Sequence, residues 1–262
     1  MKLLYRFIIL FSLLCSLAIA KEPIPVAIVG DSNYPPYSYL EKGRLVGIYP
    51  DLIRAIDKKM EDYAITIEGL PWKRALLKVE NGEVPFVFPP YLRPKGRPYL
   101  RYSDPLMDEW VVMYCHRHVM MKERSTFPDA YKGLKVGRNL GFLIGNDILD
   151  AGERGIIRLI TTNDAETALR RIHSKKLDCY VNDRLSVLYE LKVLQEKEKL
   201  NPAALVEAIK FSEEQAYLAG SKNSLLYPFI DDFYDTFNRH LLSMKLSGEL
   251  NAIVLKYVLY PQ

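Results

Sequence analysis

Residues 30–56, GDSNYPPYSYLEKGRLVGIYPDLIRAI, decide how the rest of the chain is read. They follow a short apolar strand at 25–29 and pass through a loop that holds Tyr34, Tyr37 and Tyr39 beside two prolines. The chain then turns at Gly43 and enters an amphipathic helix headed by Pro50 and Asp51. A strand, a loop and a helix N-terminus in that order form a ligand-facing edge in many open α/β sheets, because loops after strand carboxyl ends open into crevices. Tyrosine is flat, stiff and polar only at its tip, which suits stacking on a small ligand. The plainer reading is a Pro-rich connection whose tyrosines cover the core. The flanking sequence has to decide between them.

Upstream, the first twenty residues do not read as part of the fold. Lys2 and Arg6 give a basic start, residues 7–17 are apolar, and Ala18-Ile19-Ala20 supplies a small-residue cleavage signal before Lys21. That is the layout of a secretory signal peptide at 1–20, too short and wrongly flanked for a membrane span. Cys15 is preceded by Leu14 where a lipid anchor would need a small residue. The mature chain is therefore expected in the periplasm without a lipid. Its removal takes Lys2 and Arg6 from a net charge of +4 in 262 residues. What remains fits one large domain or two moderate ones, and it lacks the concentrated basic face that nucleic acid demands. Cys115 and Cys179 remain. An oxidising compartment permits a bond between them, but their spacing does not show that they meet.

Downstream, the elements alternate. Leu52, Ile53, Ile56 and Met60 recur at helical spacing, residues 64–68 alternate as a strand, and Trp72, Ala75, Leu76 and Val79 mark a second helix that stops at Asn81-Gly82. Residues 84–88 form a third apolar strand, which Pro85 argues against placing centrally. This βαβαβ order implies parallel strands with crossover helices. Residues 89–105, PPYLRPKGRPYLRYSDP, carry too much proline for regular structure and hold Arg93, Arg97 and Arg101. A strand at 110–116 follows, and then the pattern restarts. Strands are expected at 135–137, 156–160 and 177–182, with a Gly-rich turn at 139–145 and a helix capped by Asn163 and Glu166. A further helix carries Leu185, Leu188, Leu191 and Leu194, and separate strands are expected at 206–211 and 216–220. Two closing helices carry Phe229, Phe233, Phe237 and Leu241, then Leu250, Ile253 and Tyr257. Two similar α/β lobes are the result.

Several segments resemble, in the same order, the family 3 extracellular solute-binding proteins, the polar amino-acid receptors of bacterial ABC importers. They are YPPYSY, GRLVGIYPDLIRAI, NGEVPF, RPKGRPYLRYSDP, LKVGRNLG and KKLDCYVND. The resemblance implies an α/β, bilobed periplasmic-binding-protein fold, two mixed-sheet lobes joined by two hinge strands near 112–115 and 217–220. Lobe 1 would comprise 21–113 and 219–262, and lobe 2 would comprise 114–218. It implies that a small solute, an amino acid above all, is captured by lobe closure and delivered to a membrane importer permease by a monomeric receptor. Arg97 stands about where the family holds the ligand's α-carboxylate, a task for two parallel guanidinium bonds that lysine does not reproduce. Asp183 matches the aspartate that holds the ammonium, Tyr34 the aromatic that covers the ligand, and Trp72 a wall of the pocket. The sequence departs from the family's small residues at Pro89, Pro90 and Tyr91, so Tyr91 joins the expected ligand-facing set and the prolines remove backbone donors near Arg97.

Plainer roles compete. Arg93 or Arg101 offers an alternative anchor, Asp183 an ordinary helix N-cap, and Tyr37 and Tyr39 simple packing. His116 and His118 share a strand face, but no further ligand stands at a matching spacing, so they read as structural and no metal or cofactor is expected. Some proteins of this fold are dehydratases. Glu109, Asp108 and His116 would be the acids and bases for such chemistry, yet no catalytic arrangement, nucleophilic triad or phosphate loop is recognisable. The reading is a non-catalytic receptor, with a dehydratase-like enzyme or a receptor feeding a sensor as the alternatives.

Overall fold

The computed structural model describes residues 22–142, 144–198 and 200–259; the signal peptide at 1–20 lies outside them. Strands β1 (Ile24–Asp31), β2 (Asn33–Tyr34), β3 (Ser38–Glu41) and β4 (Arg44–Val46) lead into helix α1 (Ile48–Asp57). Next come β5 (Tyr63–Leu70), α2 (Trp72–Glu80), β6 (Phe86–Phe88) and the long β7 (Leu100–His116). The second half holds β8 (Lys135–Asn139), α3 (Asn146–Glu153), β9 (Arg158–Thr162), α4 (Ala165–His173), β10 (Cys179–Asp183) and α5 (Arg184–Glu198). The long β11 (Leu205–Ser221), α6 (Ile230–Ser247) and α7 (Glu249–Leu259) complete it.

One eight-stranded sheet runs β5-β1-β6-β11-β7-β10-β8-β9. Its two ends are parallel, β5-β1-β6 at one and β10-β8-β9 at the other, as the βαβ patterning requires. The middle is antiparallel. There β7 and β11 pair from Leu100 opposite Ser221 to His116 opposite Leu205, so one ladder serves both lobes. Each lobe has its own core. Around Ile28, Leu52, Ile53 and Phe86, the Phe233, Phe237 and Leu241 stripe of α6 folds back onto the first lobe. Fully burying one such ring stabilises by about 1.5–3 kcal/mol. The second lobe packs Ala168, Leu169, Ile172 and Val187 on one side of its sheet, and Val136, Ile148 and Val181 in a separate cluster.

The cysteine question is answered by register. Cys179 of β10 lies opposite Cys115 of β7, and the two form a disulfide across 64 residues of sequence. A cross-link over a loop of that size constrains the unfolded chain and contributes roughly 2–4 kcal/mol.

The structure departs from the sequence-based expectations in several places. Residues 100–105 belong to β7, and Pro105 is accommodated where the register slips between Ala216 and Tyr217, a bulge that spares the ladder a missing N–H. The strand expected at 84–88 begins only at Phe86, so Pro85 stays outside and β6 takes a central place. The two strands expected at 206–211 and 216–220 are one, β11. The tyrosine loop contains a three-stranded sheet, β2-β3-β4. Helix α4 is capped by Asp164, whose side chain accepts from the Thr167 N–H at 2.6 Å, one residue after the expected Asn163.

Candidate functional site

The loops that follow the strand ends converge on a cavity between the lobes. It spans about 450 Å³, including the solvent at its mouth, and its walls include Tyr34, Trp72, Tyr91, Arg97 and Asp183, all five residues singled out from the sequence. Asp31, Phe142, Ile144 and Asn182 complete much of the remainder. Tyr34 follows β1, Trp72 opens α2 after β5, and Asp183 ends β10, so three separate strand-end connections supply the wall. Gly30 is required here: a Cβ would sit 2.3 Å from the Phe88 ring.

At one end stands Arg97. It is only 5% exposed, and its guanidinium lies over the Trp72 ring at 5.3 Å. Its Nη2 reaches the Gly141 carbonyl at a long 3.5 Å. Among the described residues no carboxylate pairs with it, and burial pulls its pKa down. The neighbouring arginines are committed elsewhere. Arg93 pairs with Glu214 at 2.8 Å, and Arg101 pairs with Asp231 on the surface. A buried cation without an anion is costly, and of the three arginines Arg97 is the one that lines the cavity.

The acidic groups of the site are internally satisfied. Asp183 caps α5: its Oδ1 accepts from the Ser186 N–H at 2.9 Å, and its Oδ2 accepts from the Trp110 N–H at 3.0 Å. The competing cap role is therefore real, and neither oxygen is without a hydrogen bond. Burial nevertheless raises the Asp183 carboxyl to about 6, against the backbone bonds that lower it. Behind the wall, Glu109 gathers three phenols. Its Oε2 accepts from Tyr34 at 2.5 Å and Tyr91 at 2.6 Å, and its Oε1 accepts from Tyr49. Burial lifts Glu109 to about 8, the Asp183 charge adding to the effect and the phenols opposing it. Asp31, at the end of β1, is raised to about 7 by burial, with the Asn33 N–H pulling the other way.

Contacts also run across the cleft. The Phe142 ring meets Tyr34 edge-on at 5.4 Å, and Gly141 comes so close to Trp72 that a Cβ would lie 3.4 Å from its ring. At the rim, Tyr189 of α5 donates to Tyr39 at 3.4 Å. Tyr37 is buried and stacks on Tyr49 at 5.3 Å. Sequence reasoning left out Asp31, Phe142 and Asn182. Asp31 looks like an ordinary turn residue after a strand, and Phe142 is the lone aromatic of a Gly-rich turn, so only its place opposite Tyr34 reveals it. Asn182 is held by Tyr180 at 2.9 Å, and Tyr180 in turn donates to Asn139 at 2.8 Å. His116 and His118 contact each other on the far side of the second lobe, and no group of three or more potential metal ligands occurs among the described residues.

A two-lobed α/β molecule with a polar, aromatic cavity between its lobes defines a binding protein of the periplasmic type. Residues 26–260 match the bacterial extracellular solute-binding proteins, family 3, and the chain belongs to that family. No curated protein matches it. Among solved structures it is similar to a histidine kinase sensor domain with similarity to periplasmic binding proteins (TM-score 0.73, 18% identity, covering 90% of this chain and 97% of that one). It is also similar to an arginine transport system periplasmic binding protein from Legionella pneumophila (TM-score 0.71, 18% identity, covering 89% and 99%). A third is an ancestral amino acid-binding protein, a precursor of cyclohexadienyl dehydratase (TM-score 0.70, 20% identity, covering 89% and 95%). At these identities the likeness is one of fold.

Proposed function

We propose that this chain is a non-catalytic periplasmic receptor that closes around a small zwitterionic solute, an amino acid or a near relative, and delivers it to an ABC importer. The observation that carries the reading is Arg97, a buried guanidinium on the cavity wall that no carboxylate pairs with among the described residues. A ligand carboxylate supplies the missing anion by two parallel charge-assisted bonds. The acidic end, with Asp183 and Asp31 on the wall, takes the ammonium group. Tyr34, Tyr91 and Trp72 enclose the body of the solute between them. The lobes are residues 21–113 with 219–262 and residues 114–218, moving as a hinge about β7 and β11. Export rests on the leader at 1–20, and no described helix is long and apolar enough to cross a membrane. The receptor acts as a monomer.

The test is native mass spectrometry of the protein as purified, followed by thermal shift against the amino acids and related small acids and amines. A bound solute at 100 times its Kd stabilises by about 2.7 kcal/mol, an increase easily seen in Tm. A full panel without any shift, from a protein carrying no retained solute, would sink the proposal. Turnover of a solute that disappears on changing one cavity acid would replace it with the enzymatic alternative.

A further inference from the structure

We propose that Glu109 sets the hydrogen-bonding polarity of the cavity's aromatic wall, and thereby couples solute binding to the gain or loss of one proton. The inference rests on the reading of the cavity as the solute site and goes beyond it, because Glu109 is not among the residues that line the cavity. It acts through two that are, Tyr34 and Tyr91.

The geometry is a cage of three phenols around one carboxyl. Tyr34 and Tyr91 both reach Oε2, their own hydroxyls lie 3.2 Å apart, and Tyr49 reaches Oε1 from α1. Burial holds the pKa of each phenol well above its ordinary value, so each keeps its single proton. When Glu109 is a carboxylate, it accepts a hydrogen bond from each of the three phenols, since an ionised carboxylate only accepts. Tyr34 and Tyr91 then offer only lone pairs to the cavity, which suits an ammonium or guanidinium. When Glu109 is an acid, its own O–H donates to one of these two phenols. That phenol's proton is released toward the cavity, where it suits a carboxylate or carbonyl oxygen. A cationic group brought to this wall therefore expels the Glu109 proton to solvent, and an acceptor retains it.

The surroundings leave the balance close to neutral pH. Burial raises Glu109 to about 8. From β10 it faces Asp183, and Tyr37 follows β2 close to both carboxyls. Across the ladder its register partner on β11 is Glu214, which is neutralised by Arg93. Among the described residues no cation is within hydrogen-bonding reach of Glu109 to hold it ionised: its partners are phenols.

The experiment has two arms, both on the full mature protein. The first follows stability against pH without solute, in the wild type and in Glu109→Gln. A carboxyl raised from 4.5 to about 8 on folding contributes stability that is whole below pH 4.5, falls between 4.5 and 8 and is gone above. The variant lacks that fall, so its curve is flatter than the wild type's by up to one proton across this window. Asp31 slopes the same way in both proteins and cancels in the difference, whereas Asp183, whose charge is coupled to Glu109, loses that coupling in the variant and so belongs to the same difference. Parallel curves overturn the proposal. If Glu109→Gln does not fold, Tyr49→Phe removes one donor from outside the cavity wall and shifts the fall to higher pH; an unmoved fall is equally fatal. The second arm is calorimetry with L-arginine and L-glutamate at pH 6 and pH 9, in buffers of differing ionisation enthalpy. L-arginine binding tightens severalfold with pH and releases a proton in the wild type, more than in Glu109→Gln. Equal release in both proteins removes the coupling to solute. If neither amino acid binds, the coupling to solute fails, the amino-acid reading is decided by the full thermal-shift panel, and the first arm still decides whether the cage holds a proton.

Discussion

The two ends of the cavity solve the problem of a buried charge in opposite ways. At the acidic end every group is bonded within the protein: Asp183 by two backbone N–H groups, and Glu109 by three phenols. At the basic end Arg97 has a stacking partner and one long bond to a carbonyl. A satisfied network rigidifies and specifies a structure, whereas an unsatisfied buried charge costs stability until a partner arrives. The difference assigns the ends distinct work. On the reading proposed above, the acidic groups hold the wall in place as well as meeting the ammonium, and Arg97 is where an incoming solute gains most.

That contrast can be broken. Replacing Arg97 by Ala should weaken solute binding by about 2–5 kcal/mol, the usual cost of deleting one member of a buried charge pair, while Tm without solute stays level or rises. Calorimetry and a melting curve read the two sides, and a Tm that collapses instead would make Arg97 scaffold like its counterpart. Arg97→Lys should still lose about tenfold or more, because a point charge does not form the parallel pair. Asp183→Ala should lower the stability of the solute-free protein by about 0.5–2 kcal/mol through the lost cap of α5, in addition to any loss of affinity. Full stability with poor binding would show that the cap is dispensable. Phe142→Ala removes the edge-on contact with Tyr34 and should cost affinity by about 0.5–1.5 kcal/mol with little change in the melting of the open protein. The smallest effect is expected at the rim, where Tyr189→Phe deletes a long bond worth at most about 0.5 kcal/mol. A larger loss there would move the energetics of closure from the cavity to its edge.

The three arginines of the proline-rich segment were legible as a group, and only the family resemblance put Arg97 ahead of Arg93 and Arg101. The pairing of those two with Glu214 and Asp231 is tertiary, which no local pattern encodes. Tyr34 stood in a cluster that invited attention. Glu109 was noted solely as a candidate acid, because its three phenols come from positions 34, 49 and 91 and meet only in the folded chain. The small sheet inside the tyrosine segment escaped because strands of two to four residues carry too few alternations to register. Helix α3 escaped for a related reason: it buries only Ile148 and Ala151, and it follows directly on a glycine-rich turn. The long strands were read as fragments, since Pro105 and the register shifts of β11 interrupt a pattern that the ladder tolerates through bulges.

The shared ladder has a consequence for anyone who wishes to divide the molecule. The strands β7 and β11 are 17 residues each and cross from one core to the other without leaving the sheet. Neither half can be excised at a linker, because the natural cut passes through paired backbone. A truncated lobe would end in strand stubs whose hydrogen-bonding edges are bare, and bare edges recruit other chains. Such a fragment is expected to pair with copies of itself. Recombinant work on this solute-binding protein therefore belongs with both lobes kept in one chain.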